Sequence, residues 1–158
     1  MQVDTQGAVQ TARCAADFDW TWSVADLGRF GRTMGWTRVK GRYGDSFETD
    51  LQVNEPIAQV GYRTDGSAQK GLGDLAFVSI FVADTSIADY PAMARVWADL
   101  FDRITEQLGA AAAGAFGINE GLVWMVPAAA IGLRVEPLRI RLEIVNPKYR
   151  HSVDSRVL

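Results

Sequence analysis

Residues 138–145 alternate without a break. Leu138, Ile140, Leu142 and Ile144 are apolar, and Arg139, Arg141 and Glu143 between them are charged. A period of two buries one face of a strand and wets the other. The stretch therefore calls for a sheet covered on one side only, which antiparallel sheets provide and all-parallel sheets do not. The same rhythm runs through Phe47–Val53, where Phe47, Thr49, Leu51 and Val53 alternate with Glu48, Asp50 and Gln52. Further strands are expected at Trp36–Lys40, Ile57–Arg63, Leu122–Val126 and Ala129–Val135, and LAFVSIFVA (Leu75–Ala83) is apolar enough for a central strand.

Helical spacing appears in three places. Residues 5–16 suit a short helix with Val9, Ala12, Cys14 and Ala16 inward. Ser23 with Asp26 three residues on has the form of a capping box, followed by Val24, Leu27, Phe30 and Met34, with Gly35 as the stop. The clearest pattern is at 91–108, where Met93, Val96, Trp97, Leu100, Phe101, Ile104 and Leu108 form one stripe, Asp89 stands as the cap and Pro91 sits in the first turn. The order α-α-β-β-β-β-α-β-β-β, with short links between neighbouring strands, predicts an α+β fold. Its expected form is one twisted antiparallel sheet of six to seven strands with two to three helices on one face. At 158 residues the chain has the length of one domain. Residues 1–146 are read as that domain and 147–158 as a polar, frayed tail.

Composition excludes several chemistries. Cys14 is the only cysteine, so no internal disulfide forms, which fits a reducing compartment. No run reaches the ~18 apolar residues of a membrane span. The N-terminal MQVDTQGAVQTAR lacks the basic and apolar regions of a secretory signal, and a cytoplasmic protein is expected. A net charge of −3 argues against nucleic acid as a partner. The one histidine, His151, lies in the polar tail, away from any position a catalytic triad requires, and the single thiol leaves no Cys/His zinc set. The loop GSAQKGLGD, with Lys70, lacks the Walker spacing and reads as a hairpin loop. Glu48 and Asp50 would share the wet face of a strand, without the burial that tunes a carboxyl. No catalytic residue, metal or cofactor is assigned.

Charge is unevenly spread. Between Asp84 and Glu120 six acids face two arginines, and between Arg134 and Arg156 six bases face three acids. The first segment offers an acidic surface for a basic partner, with Asp99, Asp102 and Glu106 as its steering residues. Tyr43 and Tyr62, on or beside turns, are candidate aromatic anchors. The stretch DFDWTW (17–22) leaves two uses open for Trp20 and Trp22. They pack as a staple against the helix they introduce, or they are exposed rings that bind.

The stretch ARCAADFDWTWSVADLGRFGRTMGW, with LQVNEPIAQVGYR and RIRLEIVNP, resembles a family of small uncharacterised actinobacterial proteins. That resemblance covers most of the chain, carries no catalytic signature, and implies an immunity partner of a secreted toxin. The layout is also similar to that of two-layer secretion chaperones. The expected function is a non-enzymatic binding module that masks one protein partner, a toxin domain, by occlusion. A secretion or folding chaperone is the first alternative. A small-ligand protein or enzyme with a carboxylate or aromatic pocket is the second.

Overall fold

A computed structural model describes residues 1–41, 44–63, 74–111, 113–114 and 121–149. After a two-residue strand β1 (Gln2–Val3), Asp4 starts helix α1 (Thr5–Asp17), its carboxylate accepting the Gly7 N–H at 2.8 Å. Helix α2 (Ala25–Met34) stops at Gly35, whose φ of 72° is the left-handed geometry that ends helices. Four strands follow: β2 (Thr37–Gly41), β3 (Gly44–Glu48), β4 (Ile57–Arg63) and β5 (Asp74–Asp84). Asp89 caps α3 (Tyr90–Leu108) by accepting the Ala92 N–H at 3.0 Å, with Pro91 in the first turn as expected. The chain then forms β6 (Ala113–Gly114), β7 (Gly121–Val126), β8 (Ala129–Glu136) and β9 (Arg139–Val145).

All pairings are antiparallel, and the sheet runs β2-β3-β4-β5-β9-β8-β7-β6, with β1 added at the far end of β5. Two meanders, β2 to β5 and β6 to β9, are therefore joined through their last strands, where Phe77 pairs with Val145 and Ile80 with Leu142. Helix α3 makes the connection between them. The α+β class and the single antiparallel sheet with helices on one face agree with the sequence. Seven strands have five or more residues, and β1 and β6 add two that are too short to leave a periodic signal.

The period-two pattern sorts the two faces. Val78, Ile80, Leu133, Ile140, Leu142 and Ile144 are fully buried under the helices. The opposite face carries a lattice of polar groups. Arg141 donates through Nε to Glu136 at 2.9 Å and through Nη1 to Ser79 Oγ at 3.2 Å. Arg139 and Arg141 both lie over the Phe81 ring, 4.5 and 4.9 Å from its centroid. Arg134 pairs with Glu143 at 3.7 Å, and Lys148 with Asp74 at 3.1 Å. These four bases of the C-terminal segment are thus matched by acids of the same chain.

Several local expectations are corrected. The strand expected at Phe47–Val53 is instead Gly44–Glu48, because pairing with β2 (Gly41 with Gly44, Thr37 with Glu48) sets its length. Beyond it the Thr49 N–H donates to Pro56 O at 2.9 Å and closes a loop. Asp50 thus leaves the strand face it was to share with Glu48. Ser23 does not cap α2. Its hydroxyl bonds Thr21 Oγ1, and Val24 stands at the cap position without a side-chain bond. The tail is not free from Pro147: residues 147–149 form a 3-10 turn, and Tyr149 Oη donates to Asp74 at 2.8 Å. Lys70, His151 and the rest of the tail lie outside the described residues.

Candidate functional site

The expected acidic surface lies on the outer side of α3. The same amphipathic pattern that buries Met93, Leu100 and Ile104 leaves Asp99, Asp102 and Glu106 exposed. They are not equivalent. Asp99 is engaged one helical turn away by Arg103, whose Nε lies 3.0 and 3.2 Å from its two oxygens. Asp102 and Glu106 have no ion-pair partner among the described residues. Glu106 also stands, with Arg103 and Gln107, at the rim of a groove of about 680 Å³ between α1 and α3, which Gln6, Val9, Gln10 and Arg13 line from the other side. The last turn of α3 holds no basic residue. Its free carbonyls therefore add a partial negative charge to the same end of the helix.

Tyr62 is a surface side chain, 38% exposed, and it is held in place. Its hydroxyl donates to Asp45 Oδ2 at 2.6 Å, and Arg38 donates to both Asp45 oxygens, at 3.4 Å from Nε and 3.1 Å from Nη2. The three residues come from β2, β3 and β4. The phenol hydrogen bond, with the Arg38 charge beside it, holds the Asp45 carboxyl below its ordinary range. Burial, and then the hydrogen bond to a carboxylate, push the Tyr62 phenol above its own. A fixed, amphipathic ring at the surface is the kind of group that serves as an anchor. Tyr43 lies outside the described residues.

DFDWTW is chiefly a clasp. Trp20 is 8% exposed, and its Nε1 donates to Ala15 O at 2.8 Å, satisfying a carbonyl in the last turn of α1. Trp20 is therefore core and not an anchor. Its ring stacks on Trp22 with centroids 4.7 Å apart and packs against Phe18 and Phe30. Trp22 is half-buried. Its Nε1 donates to Ala128 O at 2.8 Å in the β7–β8 turn, and its carbonyl accepts from Leu75 N at 3.0 Å. Only the remaining exposed edge of Trp22 is open to a partner.

The residue that organises this clasp is Asp26. It is fully buried, and its oxygens accept the N–H groups of Thr21 and Trp22 at 2.9 and 2.7 Å and the Thr21 hydroxyl at 2.7 Å. Arg29 donates to it at 3.0 Å, pairs with Asp19, and lies 4.7 Å over the Phe18 ring. The capping-box pattern located Asp26 but assigned its carboxylate to the wrong N–H groups. The Tyr62–Asp45–Arg38 cluster has no linear signature, since its members converge only through strand pairing.

Among the described residues, no set of three or more His, Cys, Asp or Glu side chains is grouped to hold a metal ion, and no helix is long and apolar enough to cross a membrane. No curated protein and no solved structure matches the chain. The model of a family of unknown function, DUF6301, matches residues 6–146, from the first turn of α1 to the end of β9, and the chain belongs to that family.

Proposed function

We propose that this chain is a non-enzymatic protein-binding module, an immunity protein that acts in the cytoplasm and neutralises a secreted toxin domain by occlusion. The observation that carries this reading is the α3 edge. Asp102 and Glu106 are exposed and have no ion-pair partner among the described residues, and Glu106 stands at the rim of a groove, on a chain of net charge −3 in which Arg134, Arg141 and Lys148 are each paired with an acid of the same chain. An acidic edge of this kind steers a basic partner and raises its association rate. Tyr62 and the exposed edge of Trp22 then supply apolar contact. Asp99 contributes less to steering, because Arg103 neutralises it.

The test is capture of the tagged chain from its native cells at normal expression level, with the proteins retained at near-equal stoichiometry identified. One basic, secreted toxin-like partner is expected. With that partner purified, Asp102→Lys together with Glu106→Lys slows association about tenfold at low salt, and added salt erases the difference. Capture of several unrelated clients sinks the immunity reading in favour of a chaperone, and capture of nothing sinks both.

A further inference from the structure

The outer face of the helix layer is not uniformly acidic. Arg13 of α1 and Arg29 and Arg32 of α2 line a groove of about 730 Å³ between the two helices, together with Asp17 and Asp19. Two of these five charges match each other. Arg29 donates to Asp19 and, at 3.0 Å, to the buried Asp26, and its guanidinium lies 4.7 Å over the Phe18 ring. Arg13 and Arg32 have no hydrogen-bond or ion-pair partner among the described residues. Asp17 stands one turn after Arg13 on α1 and forms no ion pair with it. A base that precedes its acid is the weaker order for an i, i+4 pair on a helix. Arg32 is laid back along α2, since a Cβ at Gly28, one turn earlier, would lie 3.6 Å from its Nη1. The free charges of the groove are thus two arginines against one aspartate.

We infer that the groove between α1 and α2 binds a compact molecule bearing two oxyanionic groups, carboxylate or phosphate, one on Arg13 and one on Arg32. A guanidinium presents a planar fork of donors that matches two oxygens of such a group. Two unpaired forks on opposite walls of one groove therefore fit two such groups better than one. The volume suits a small organic molecule rather than a lone ion. Arg29 is not a third fork, because both of its terminal nitrogens are engaged, and its pairing keeps Asp19 from competing. The surplus of positive charge sets this groove apart from the acidic α3 edge, and the inference stands whether or not a toxin partner exists. Arg13 also borders the groove beside α3, so Arg32 is the residue that isolates the site.

The test uses the full ¹⁵N-labelled chain and reads the arginine Nε–H resonances at constant ionic strength, each assigned by its loss in the Gln variant. Citrate is the probe with several carboxylates, and acetate the probe with one. Citrate is expected to move Arg13 and Arg32 with one shared Kd and to leave Arg95, an exposed arginine of α3 outside the groove, in place. Acetate binds about tenfold more weakly. Arg32→Gln weakens citrate about tenfold, the range of a hydrogen bond to a charged group, and Asp17→Asn, which removes the opposing charge, tightens it. The peptide acetyl-Glu-Gly-Glu-amide separates the two sources of the anion. Tighter binding than citrate assigns the groove to acidic side chains of a protein, and weaker binding assigns it to a free polyanion. Arg13 and Arg32 resonances that move no more than that of Arg95 overturn the inference. So does acetate binding as tight as citrate, or an Arg32→Gln protein that binds citrate like the parent.

Discussion

The N–H of Trp22 donates to Oδ2 of Asp26 at 2.7 Å, and Trp22 is the one non-glycine residue with positive φ (59°) among the described residues. A left-handed backbone at a bulky residue costs roughly 1–2 kcal/mol. Asp26 offsets that cost with bonds to two successive N–H groups, the Thr21 hydroxyl and Arg29. Asp26→Ala is expected to destabilise the fold by about 3–5 kcal/mol, because it strands buried donors and an arginine at once. Asp26→Asn falls between, since its amide accepts but also places N–H groups against N–H groups. Urea unfolding followed by tryptophan fluorescence measures both.

The stacked pair Trp20 and Trp22 separates by substitution. Trp20→Ala removes a ring from the core and is expected to cost about 3–5 kcal/mol. Trp22→Phe keeps the ring contact and loses the bond to Ala128, at a cost of about 1 kcal/mol. A Trp20→Ala protein as stable as the parent would return Trp20 to the surface. The same unfolding curves read both variants.

Gly61 is required by its neighbour. A Cβ at this position would lie 2.1 Å from Cε1 of Phe77 on the adjacent strand. Gly61→Ala is expected to cost about 1–3 kcal/mol through overpacking. Adding Phe77→Ala removes the clash, so the two changes together cost less than their separate sum. Thermal melts of the two single variants and the double variant give the coupling.

Tyr62 and Asp45 give the fold a pH signature at both ends. Asp45 has a folded pKa below its ordinary 3.8. Its contribution is present above that value and is lost as pH falls through the folded midpoint. Tyr62 has a folded pKa above its ordinary 10.0. Its contribution is complete below that value and is lost as pH rises through the folded midpoint. Phenolate absorbance, read as the difference between the parent and Tyr62→Phe, should show Tyr62 ionising above pH 10, and Asp45→Asn should bring that midpoint down. Tyr62→Phe should also flatten the acid side of the stability curve, because Asp45 loses the bond that lowers its pKa most.

Much of the fold is legible in the chain because burial writes periodicity. The alternation at 138–145, the apolar run at 75–83 and the stripe at 93–108 each map onto β9, β5 and α3 within a residue or two. What is not legible is set by partners. The β2–β3 hairpin moves β3 toward Gly44, and Leu51, which the alternation places in that strand, is buried from a loop instead. Asp102 and Glu106 were legible as exposed acids on a helix face. Their difference from Asp99 was not, since i and i+4 spacing permits the Arg103 pair without requiring it.

The joint between β5 and β9 has a consequence for how the protein is born. The first meander leaves the ribosome with β5 as its outer strand, one long unpaired and largely apolar edge. Its permanent neighbour is the last strand made. Until Val145 emerges, that edge is a template for pairing with any other chain. The nascent protein is therefore exposed to misassembly from the completion of β5 to the arrival of β9, an interval that spans the whole of α3.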